Sequence, residues 1–483
     1  MIRATLSLLI IAGSLLITAC ETLPSKPQTP CQGFVDSLQQ AIEQHTYFDP
    51  SLVRIPDRPF LRSNRFLASF AGDPLNASAY QAWQNELREL GVTALITEAQ
   101  RLPDDVQRAL LSNSKSSNLA DRIHDCSRQQ MTAPRITPGQ TQVADSYSTT
   151  QRFFGIYPLL SRLAQSSIEE YRESMTTKVA QGPARNFANS TNYQPSSNGL
   201  KQSPPANTIA SWLINSATQH PLGIPKLKPE QTQHLFRKFA PELVIEKKSQ
   251  HDQIGALQFT QDSNQLTIVR DQPTLYTFTS YTRWNNQILL QLNYSFWFSQ
   301  RPPQESWDIY AGNLDGIIWR VTLNDNGTPL LYDSIHQCGC YHKLFLPEGT
   351  EHQLDFVEGD KPLAFSLPYQ AANIDRLQLK IEASTHYLIA VTKTTGNTAS
   401  NTYQLKDYSD QLALMASNQR ESAFGASGII EQSARLERWL LWPLGVPSAG
   451  AMRQSGLHAI AFVGKRHFDD AYLLDEFGIA KSD

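Results

Sequence analysis

Cysteine and histidine side chains crowd together at one place in this sequence. His336, Cys338, Cys340 and His342 occupy every second position around Gly339, in the order H-x-C-x-C-x-H. Deprotonated thiols and neutral imidazoles are the usual protein ligands of zinc and copper. A chain of 483 residues can fold without a metal, so a Cys/His group suggests a dedicated site. We therefore predict that His336, Cys338, Cys340 and His342 bind zinc or copper.

The spacing of these residues places a condition on that site. On a straight strand the four side chains would share one face, with neighbouring Cα atoms of the series about 7 Å apart and the ends about 20 Å apart. One ion cannot collect four ligands from such a rod. Either Gly339 adopts a positive φ and turns the chain sharply, or only two of the four bind the ion. Candidates for additional ligands are His352, His386, His458, His467 and Asp469.

Three other interpretations of the same residues stay open. A disulfide between Cys338 and Cys340 would close a strained, easily reduced ring and would imply a redox role. One of the two thiols could instead be a nucleophile activated by His336 or His342. The third is a tight turn with buried thiols and hydrogen-bonded histidines. Asp333 is not expected to partner His336, because the two alternate to opposite sides of a strand.

The rest of the chain excludes several common function classes. The net charge is -3 and 18% of residues are charged, so a basic face for nucleic acid is not expected. G-x-S-x-G, H-E-x-x-H, a P-loop and a dinucleotide-binding glycine pattern are all absent, which leaves common hydrolase, kinase and dehydrogenase assignments without support. Asp315-Gly316 is expected to form a turn. The stretch His467-Phe468-Asp469-Asp470 could hold an ion, but resembles a solvated charged loop.

The N-terminus carries a targeting signal. Arg3 precedes an apolar run, residues 6–17, that is too short to span a bilayer comfortably. The run ends in Ile17-Thr18-Ala19-Cys20, which resembles the lipobox of bacterial lipoproteins. The resemblance implies a signal peptide over residues 1–19, lipidation of Cys20 and a membrane partner. Glu21 follows where an aspartate would favour the inner membrane, so the periplasmic face of the outer membrane is expected.

The first part of the mature chain is predicted to be helical. After a tether over residues 20–30, apolar residues recur at helical spacing, which indicates a helical domain over residues 31–176. Cys31 and Cys126 lie near its ends, and an oxidising periplasm favours a disulfide between them. Residues 177–225 are rich in Asn, Ser, Gln and Pro and are expected to form a linker or a long surface loop.

The second half is predicted to be rich in β-strands. Residues 287–298 place six apolar side chains on one face with a period of two, and residues 316–323 and 329–335 form a hairpin across N-D-N-G-T. The expected fold class is α+β, with an antiparallel β-sandwich or barrel-like domain over residues 226–400 after the helical domain. A mixed α/β segment, residues 401–483, is expected to pack on it.

Three functional hypotheses follow. The first is a lipid-anchored envelope protein whose Cys/His site binds zinc or copper. The second is a thiol-dependent envelope enzyme, which uses a cysteine nucleophile or a C-x-C redox pair. The third is a non-catalytic scaffold or ligand-binding lipoprotein, with other envelope proteins as candidate partners. The sequence does not identify a substrate.

Overall fold

The computed structural model describes residues 30–112, 114–129, 135–196, 204–262, 264–350, 362–373, 376–394 and 401–479. The predicted signal peptide, Cys20 and His352 lie outside these ranges. Within these ranges, none of the helices combines the length and the apolar character needed to cross a bilayer.

Helices dominate the first part of the described chain and recur later as shorter elements. In chain order they are α1 (Pro30–His45), α2 (Arg65–Ala68), α3 (Ala77–Ala99), α4 (Asp104–Leu111), α5 (Leu119–Gln129), α6 (Thr149–Phe154), α7 (Tyr157–Gln181), α8 (Ala206–Gln219), α9 (Pro229–Phe239), α10 (Arg438–Leu441) and α11 (Leu473–Glu476).

Strands follow mainly after α9. They are β1 (Val53–Arg54), β2 (Arg62–Ser63), β3 (Ser190–Pro195), β4 (Glu242–Glu246), β5 (Ile254–Phe259), β6 (Leu266–Val269), β7 (Thr274–Trp284), β8 (Gln287–Arg301), β9 (Gly312–Leu323), β10 (Pro329–His336), β11 (Lys343–Leu346), β12 (Leu363–Ser366), β13 (Leu377–Ile381), β14 (Leu388–Lys393), β15 (Asn401–Asp407), β16 (Leu414–Met415) and β17 (Arg420–Glu421).

A disulfide ties the ends of the small helical core formed by α1, α3 and α5. Cys31 at the start of α1 is bonded to Cys126 in α5, 95 residues later, and both side chains are buried among apolar residues of these helices. The disulfide predicted from the sequence is therefore confirmed. Crosslinks that close loops of this length stabilise the folded state by about 2–5 kcal/mol, mainly by restricting the unfolded chain.

One large mixed sheet organises the remainder of the protein. Its strands run in the order β12-β11-β10-β9-β8-β7-β15-β3-β4-β13-β14, with β5 beside β8 and β6 beside β5. Side chains from β8, β9, β4 and β13 share one apolar core with α8 and α9, so the sheet curls around these helices. The α+β class is confirmed.

The antiparallel sandwich or barrel-like domain is not confirmed. Strands β7 to β11 pair antiparallel as the hairpin patterns predict, but β15 is parallel to both β3 and β7, and β4 is parallel to β13. The reason is that strands distant in sequence insert beside one another in a single sheet. Alternating hydrophobicity identifies a strand, but it does not identify that strand's neighbours.

The predicted domain boundaries also fall differently. The stretch expected to be a linker, residues 177–225, supplies the end of α7, strand β3 and helix α8, and Ile209 and Leu213 of α8 are buried in the main core. A separate helical domain over residues 31–176 is not confirmed, since α7 runs past residue 176 and contributes Met175 and Val179 to the same core. The polar composition of this stretch predicted a loop. The stretch instead forms a helix and a strand, because a few apolar side chains such as Ile209 and Leu213 anchor it in the main core.

Strand β8 is buried on both faces along most of its length. Leu290, Leu292, Tyr294, Phe296 and Phe298 all enter the main core, as the period of two predicts. The residues between them are buried as well, because other chain segments cover the second face. A sheet covered on both faces can hold polar groups out of water on either side, and the candidate site uses this property.

Candidate functional site

The structure has a sharp turn at Gly339, which was one of the two alternatives that the sequence left open. Strand β10 ends at His336 and β11 begins at Lys343, and Gly339 between them has φ +91°. The Gly339 N–H donates to the His336 carbonyl at 2.8 Å, and the His336 N–H donates to the Cys340 carbonyl at 3.0 Å. A Cβ at Gly339 would lie 2.4 Å from the Ala459 carbonyl oxygen. Glycine is therefore needed here for both its φ and its small size. Residues 337–342 are called the Cys-Gly-Cys turn below.

The turn separates the two histidines instead of bringing them together. The His336 ring approaches Asp315, with Nδ1 3.4 Å from a carboxylate oxygen, whereas His342 Nε2 lies 3.1 Å from Asp333. Asp333 is also bonded to Arg320 through two contacts. Asp315 and Asp333 lie on opposite faces of the sheet, because Asp333 pairs with Arg320, five positions after Asp315 on β9. As predicted, Asp333 does not partner His336.

The four predicted ligands therefore do not surround one point. Among the described residues, no group of three or more His, Cys, Asp or Glu side chains is arranged to hold a metal ion. The two thiols are the pair that the turn does bring together. The Cys340 N–H contacts Cys338 Sγ at 3.3 Å, and both cysteines are unbonded thiols. Their mutual hydrogen bond, with burial, raises the pKa of Cys340 well above its ordinary value.

A buried chain of imidazoles and carboxylates runs away from His336. Asp315 accepts a hydrogen bond from His386 Nδ1 at 2.8 Å, and His386 Nε2 lies 3.5 Å from Asp252. The His386 ring stacks on Phe298 with 3.8 Å between ring centroids. All four ionisable side chains of this network are buried: His336, Asp315, His386 and Asp252. Asp315 thus belongs to strand β9 and to this network, which corrects the expected Asp315-Gly316 turn.

Two carboxylates and two imidazoles in this network have different pKa values. Burial opposes charge on His386, but hydrogen bonds from both sides to Asp252 and Asp315 raise its pKa. Burial lowers the pKa of His336 to about 4, despite its proximity to Asp315. Burial would raise the pKa of Asp315, yet the two imidazoles hold it well below its usual range. The arrangement places His386, whose pKa is raised, between two buried carboxylates, with a neutral His336 at its end.

Backbone strain is concentrated around the same network. Leu314, Tyr341, Ser384 and His386 all have positive φ values between 52° and 67°. Each such residue other than glycine costs about 1–3 kcal/mol, and strain of this kind persists where the surrounding structure fixes the conformation and often marks functional sites.

A cavity of about 450 Å³ opens beside the Cys-Gly-Cys turn. Cys340 lies in its wall, whereas Cys338 is buried and does not line it. Most of the wall is apolar and comes from α7, from α10 and its flanking residues, and from the segment after Ala459. The apolar lining residues are Ala164, Ile168, Ile309, Leu363, Leu440, Leu441, Leu444, Ala459, Ile460, Ala461 and Phe462.

Polar groups gather at the end of the cavity nearest the turn. The rings of Tyr310, Tyr341 and Tyr387 line it, and the Arg301 guanidinium lies 5.3–5.8 Å from the three ring centroids. Arg301 is 5% exposed, its contacts to the Tyr341 and Tyr387 hydroxyls are long at 3.5 and 3.4 Å, and its Nε has no hydrogen-bond partner among the described residues. The buried Tyr171 hydroxyl is also without one. This end combines a buried cation with unsatisfied donors.

One carboxyl group, Glu437, faces this cavity among the described lining residues. Burial raises the pKa of Glu437 to about 7, although Arg301, Arg435 and Arg453 act in the opposite direction. A carboxyl with this pKa changes charge near neutral pH. The cavity therefore has an apolar body, a tyrosine-lined end behind which the buried Arg301 lies, and one titratable acid.

The remaining described candidates lie in three places. His458 is buried, with its Nε2 3.1 Å from the Gln337 carbonyl of the Cys-Gly-Cys turn. His386 is the central imidazole of the buried network, whereas His467 lies beside Asp145 and Asp470 at 3.3 and 3.5 Å. Asp469 lies 3.4 Å from Arg65, and burial raises the pKa of Asp469 to about 6. His467 lines a separate open cleft, so neither His467 nor Asp469 completes a site with the Cys-Gly-Cys turn.

Sequence reasoning missed Asp252, Arg301 and Glu437. Strand alternation could have placed Asp315 on the same face as His336, because β9 pairs with β10 in the predicted hairpin. No local pattern marks Asp252 or Glu437, which reach the site from distant segments. No protein-family model, curated protein or solved structure matches this chain.

Proposed function

We propose that this protein is a lipid-anchored envelope protein that binds an amphipathic small molecule in the cavity beside the Cys-Gly-Cys turn. The ligand would have an apolar body and an acidic head group. The observation that carries the proposal is a cavity of about 450 Å³ whose wall is mostly apolar and whose lining tyrosines lie against the buried Arg301 guanidinium. Small-molecule sites typically combine a mostly apolar concave wall with a few convergent polar groups.

The acidic head group is inferred from Arg301. No carboxylate of the described residues makes an ion pair with its buried guanidinium, whose side-chain contacts are with tyrosines. A buried cation without a paired anion is costly, and a ligand carboxylate or phosphate near the tyrosine hydroxyls would offset that cost. Arg172 and Arg466 also line the cavity, where they are near Glu169 and Glu476. The balance of lining charges is positive.

The envelope location rests on the resemblance of Ile17-Thr18-Ala19-Cys20 to a lipobox. Acyl chains on Cys20 would anchor the protein, each buried methylene contributing about 0.8 kcal/mol. The Cys31–Cys126 disulfide agrees with an oxidising compartment. Lipidation can be tested by mass spectrometry of the N-terminal peptide and by its loss in Cys20→Ser.

Dodecanoate is a suitable probe for the cavity. We expect the chain from residue 20 onward, carrying Cys20→Ser, to bind dodecanoate in calorimetry. Dodecanoate should also slow alkylation of Cys340 by N-ethylmaleimide, because this thiol lies in the cavity wall. Ala164→Trp, which projects into the cavity from α7, should abolish both effects. Ala180→Trp is the matched control, since Ala180 is exposed on the same helix.

Two results would contradict this proposal. Dodecanoate binding that survives Ala164→Trp unchanged would place the ligand elsewhere. Dodecanoate binding that survives Arg301→Met unchanged would refute the role of the Arg301 cation. Arg320→Met is not a suitable control for this variant, because Arg320 forms a buried ion pair with Asp333.

A second candidate function is binding of a soft metal ion, zinc or copper, by the two thiols alone. The contact between Cys338 and Cys340 favours it, because adjacent thiolates select soft ions such as Cu(I). Bound metal, measured by mass spectrometry, should disappear in Cys338→Ser. It should persist in His342→Asn, since His342 Nε2 lies 3.1 Å from Asp333 and makes no contact with either thiol among the described hydrogen bonds. Equal metal loss in both variants would favour the four-ligand site predicted from the sequence.

A thiol nucleophile is less favoured by the geometry. Activation requires a lowered thiol pKa or an adjacent base. The Cys340 pKa is raised instead, and within the described chain neither His336 nor His342 makes a side-chain hydrogen bond to Cys340.

A further inference from the structure

A group of large apolar side chains is exposed on one part of the protein surface. Phe153 is 78% exposed and Trp439 is 65% exposed, values that are unusual for aromatic residues of a folded domain. We call this group the apolar collar, and it comprises Phe153, Phe154, Ile156, Leu159, Trp439 and Leu440.

The collar comes from two chain segments that pack against each other. Arg152 Nε of α6 donates to the Leu444 carbonyl at 2.8 Å, and the Ser148 N–H donates to the Gly445 carbonyl at 2.7 Å. Gly155 lies so close to Pro443 that a Cβ there would be 2.4 Å from the proline Cβ. The exposed residues of α6, the start of α7 and α10 are therefore neighbours.

Ile156 shows that the fold accepts a cost at this surface. It joins α6 to α7 with φ +50°, a left-handed conformation that β-branched residues rarely adopt. Its side chain is nevertheless 62% exposed, so packing against the core does not repay the strain. Backbone strain often marks functional positions, so we interpret the strain at Ile156 as a sign that its exposed side chain has a function.

The collar is continuous with the cavity. Leu440 is 64% exposed and also lines the cavity, and Leu441 beside it lines the cavity as well. Ala164 and Ile168 lie one to three turns after Leu159 on α7, and both line the cavity. An apolar ligand could therefore move from the collar into the cavity without crossing a polar surface.

Basic side chains lie among the collar residues. Arg152, Arg162 and Arg438 are interspersed with them and reach solvent, whereas Arg453 and Glu437 are buried and the acidic Asp145 and Glu169 lie just outside these segments. Basic residues beside exposed Trp, Phe and Leu are typical of surfaces that insert into the headgroup region of anionic bilayers. Two copies of the collar facing each other would instead bring like charges together.

We infer that the apolar collar docks on the surface of a phospholipid bilayer and that the cavity exchanges its ligand with that bilayer. This inference rests on the proposed function for the identity of the ligand. It also agrees with the length of the tether. The stretch from Cys20 to Pro30 spans at most about 35 Å when fully extended, so an acylated Cys20 would hold Pro30, and with it the folded chain, within about this distance of the membrane.

The test is vesicle flotation of the Cys20→Ser chain, which has no acyl anchor. We expect it to float with vesicles of phosphatidylethanolamine and phosphatidylglycerol. The double variant Phe153→Ser/Trp439→Ser should lower the partition coefficient about tenfold or more, because each buried aromatic side chain contributes a factor of at least this size. The control is Ile214→Ser/Met415→Ser, which removes two exposed apolar side chains elsewhere and should leave flotation unchanged.

Ile156→Gly separates docking from folding. Glycine removes the strain, so its melting temperature should not fall, while flotation should weaken. Dodecanoate binding without vesicles tests the proposed function independently. If collar variants lose flotation but keep dodecanoate binding, docking is supported. If flotation depends on the collar but the protein does not bind dodecanoate, docking still stands and the proposed ligand is refuted. Absent flotation, or collar-dependent dimers in light scattering, would overturn the inference.

Discussion

Gly339→Ala is the substitution whose effect the structure specifies most sharply. Two separate costs act at this position. An L-residue at φ +91° costs about 1–2 kcal/mol relative to glycine. In addition, the new Cβ would lie 2.4 Å from the Ala459 carbonyl oxygen, so backbone must shift, and overpacking of this kind costs about 1–3 kcal/mol more. We expect the free energy of unfolding to fall by about 2–5 kcal/mol.

Gly349→Ala provides the matched control for the second cost. Gly349 has nearly the same φ, +89°, but nothing lies within 4 Å of its added Cβ. Its loss of stability should therefore be limited to about 1–2 kcal/mol. The difference between the two variants measures the close approach of the Cys-Gly-Cys turn to the segment at Ala459.

Urea unfolding followed by tryptophan fluorescence would give both values. Gly339→Ala should also speed the alkylation of Cys340, since the turn must move away from Ala459 and loosen the cavity wall. The reasoning is refuted if Gly339→Ala costs no more than Gly349→Ala, because the backbone contact would then have no energetic weight.

Three further predictions concern buried charge and the disulfide. Asp315→Asn should lower the free energy of unfolding by about 1–3 kcal/mol in urea titrations at neutral pH, because it removes the buried carboxylate that His386 and His336 approach; no measurable loss would contradict a structural weight for this network. The Glu437 pKa of about 7 exceeds that of the unfolded chain, so its contribution to stability is present below about pH 4 and is lost as pH rises to 7. Glu437→Gln should therefore raise the melting temperature relative to the parent at pH 8 and change it little at pH 4, and an equal shift at both pH values would exclude the raised pKa. Replacing both Cys31 and Cys126 by serine should cost about 2–5 kcal/mol, whereas an unchanged denaturation midpoint would show that the crosslink has no weight.

Several features of this protein follow from local sequence. The period of two in residues 287–298 predicted the face of β8 that enters the core, and the N-D-N-G-T stretch predicted the hairpin between β9 and β10. Strand alternation separated Asp333 from His336 correctly. The single glycine between Cys338 and Cys340 allowed a sharp turn as one of two alternatives, and Gly339 adopts the positive φ that this alternative requires. These features depend on residues a few positions apart, whose relative directions the backbone geometry fixes.

The order of strands and the composition of the site depended on tertiary structure. Sequence could not show that β15 would insert between β7 and β3, or that Asp252 and His386 would meet Asp315. The turn at Gly339 also changed which face each histidine occupies, so that four residues at alternating positions did not converge on one ion. Local periodicity records the direction of each side chain along its own strand. Which distant side chains it meets depends on how the whole chain buries its apolar surface, a property that no single segment contains.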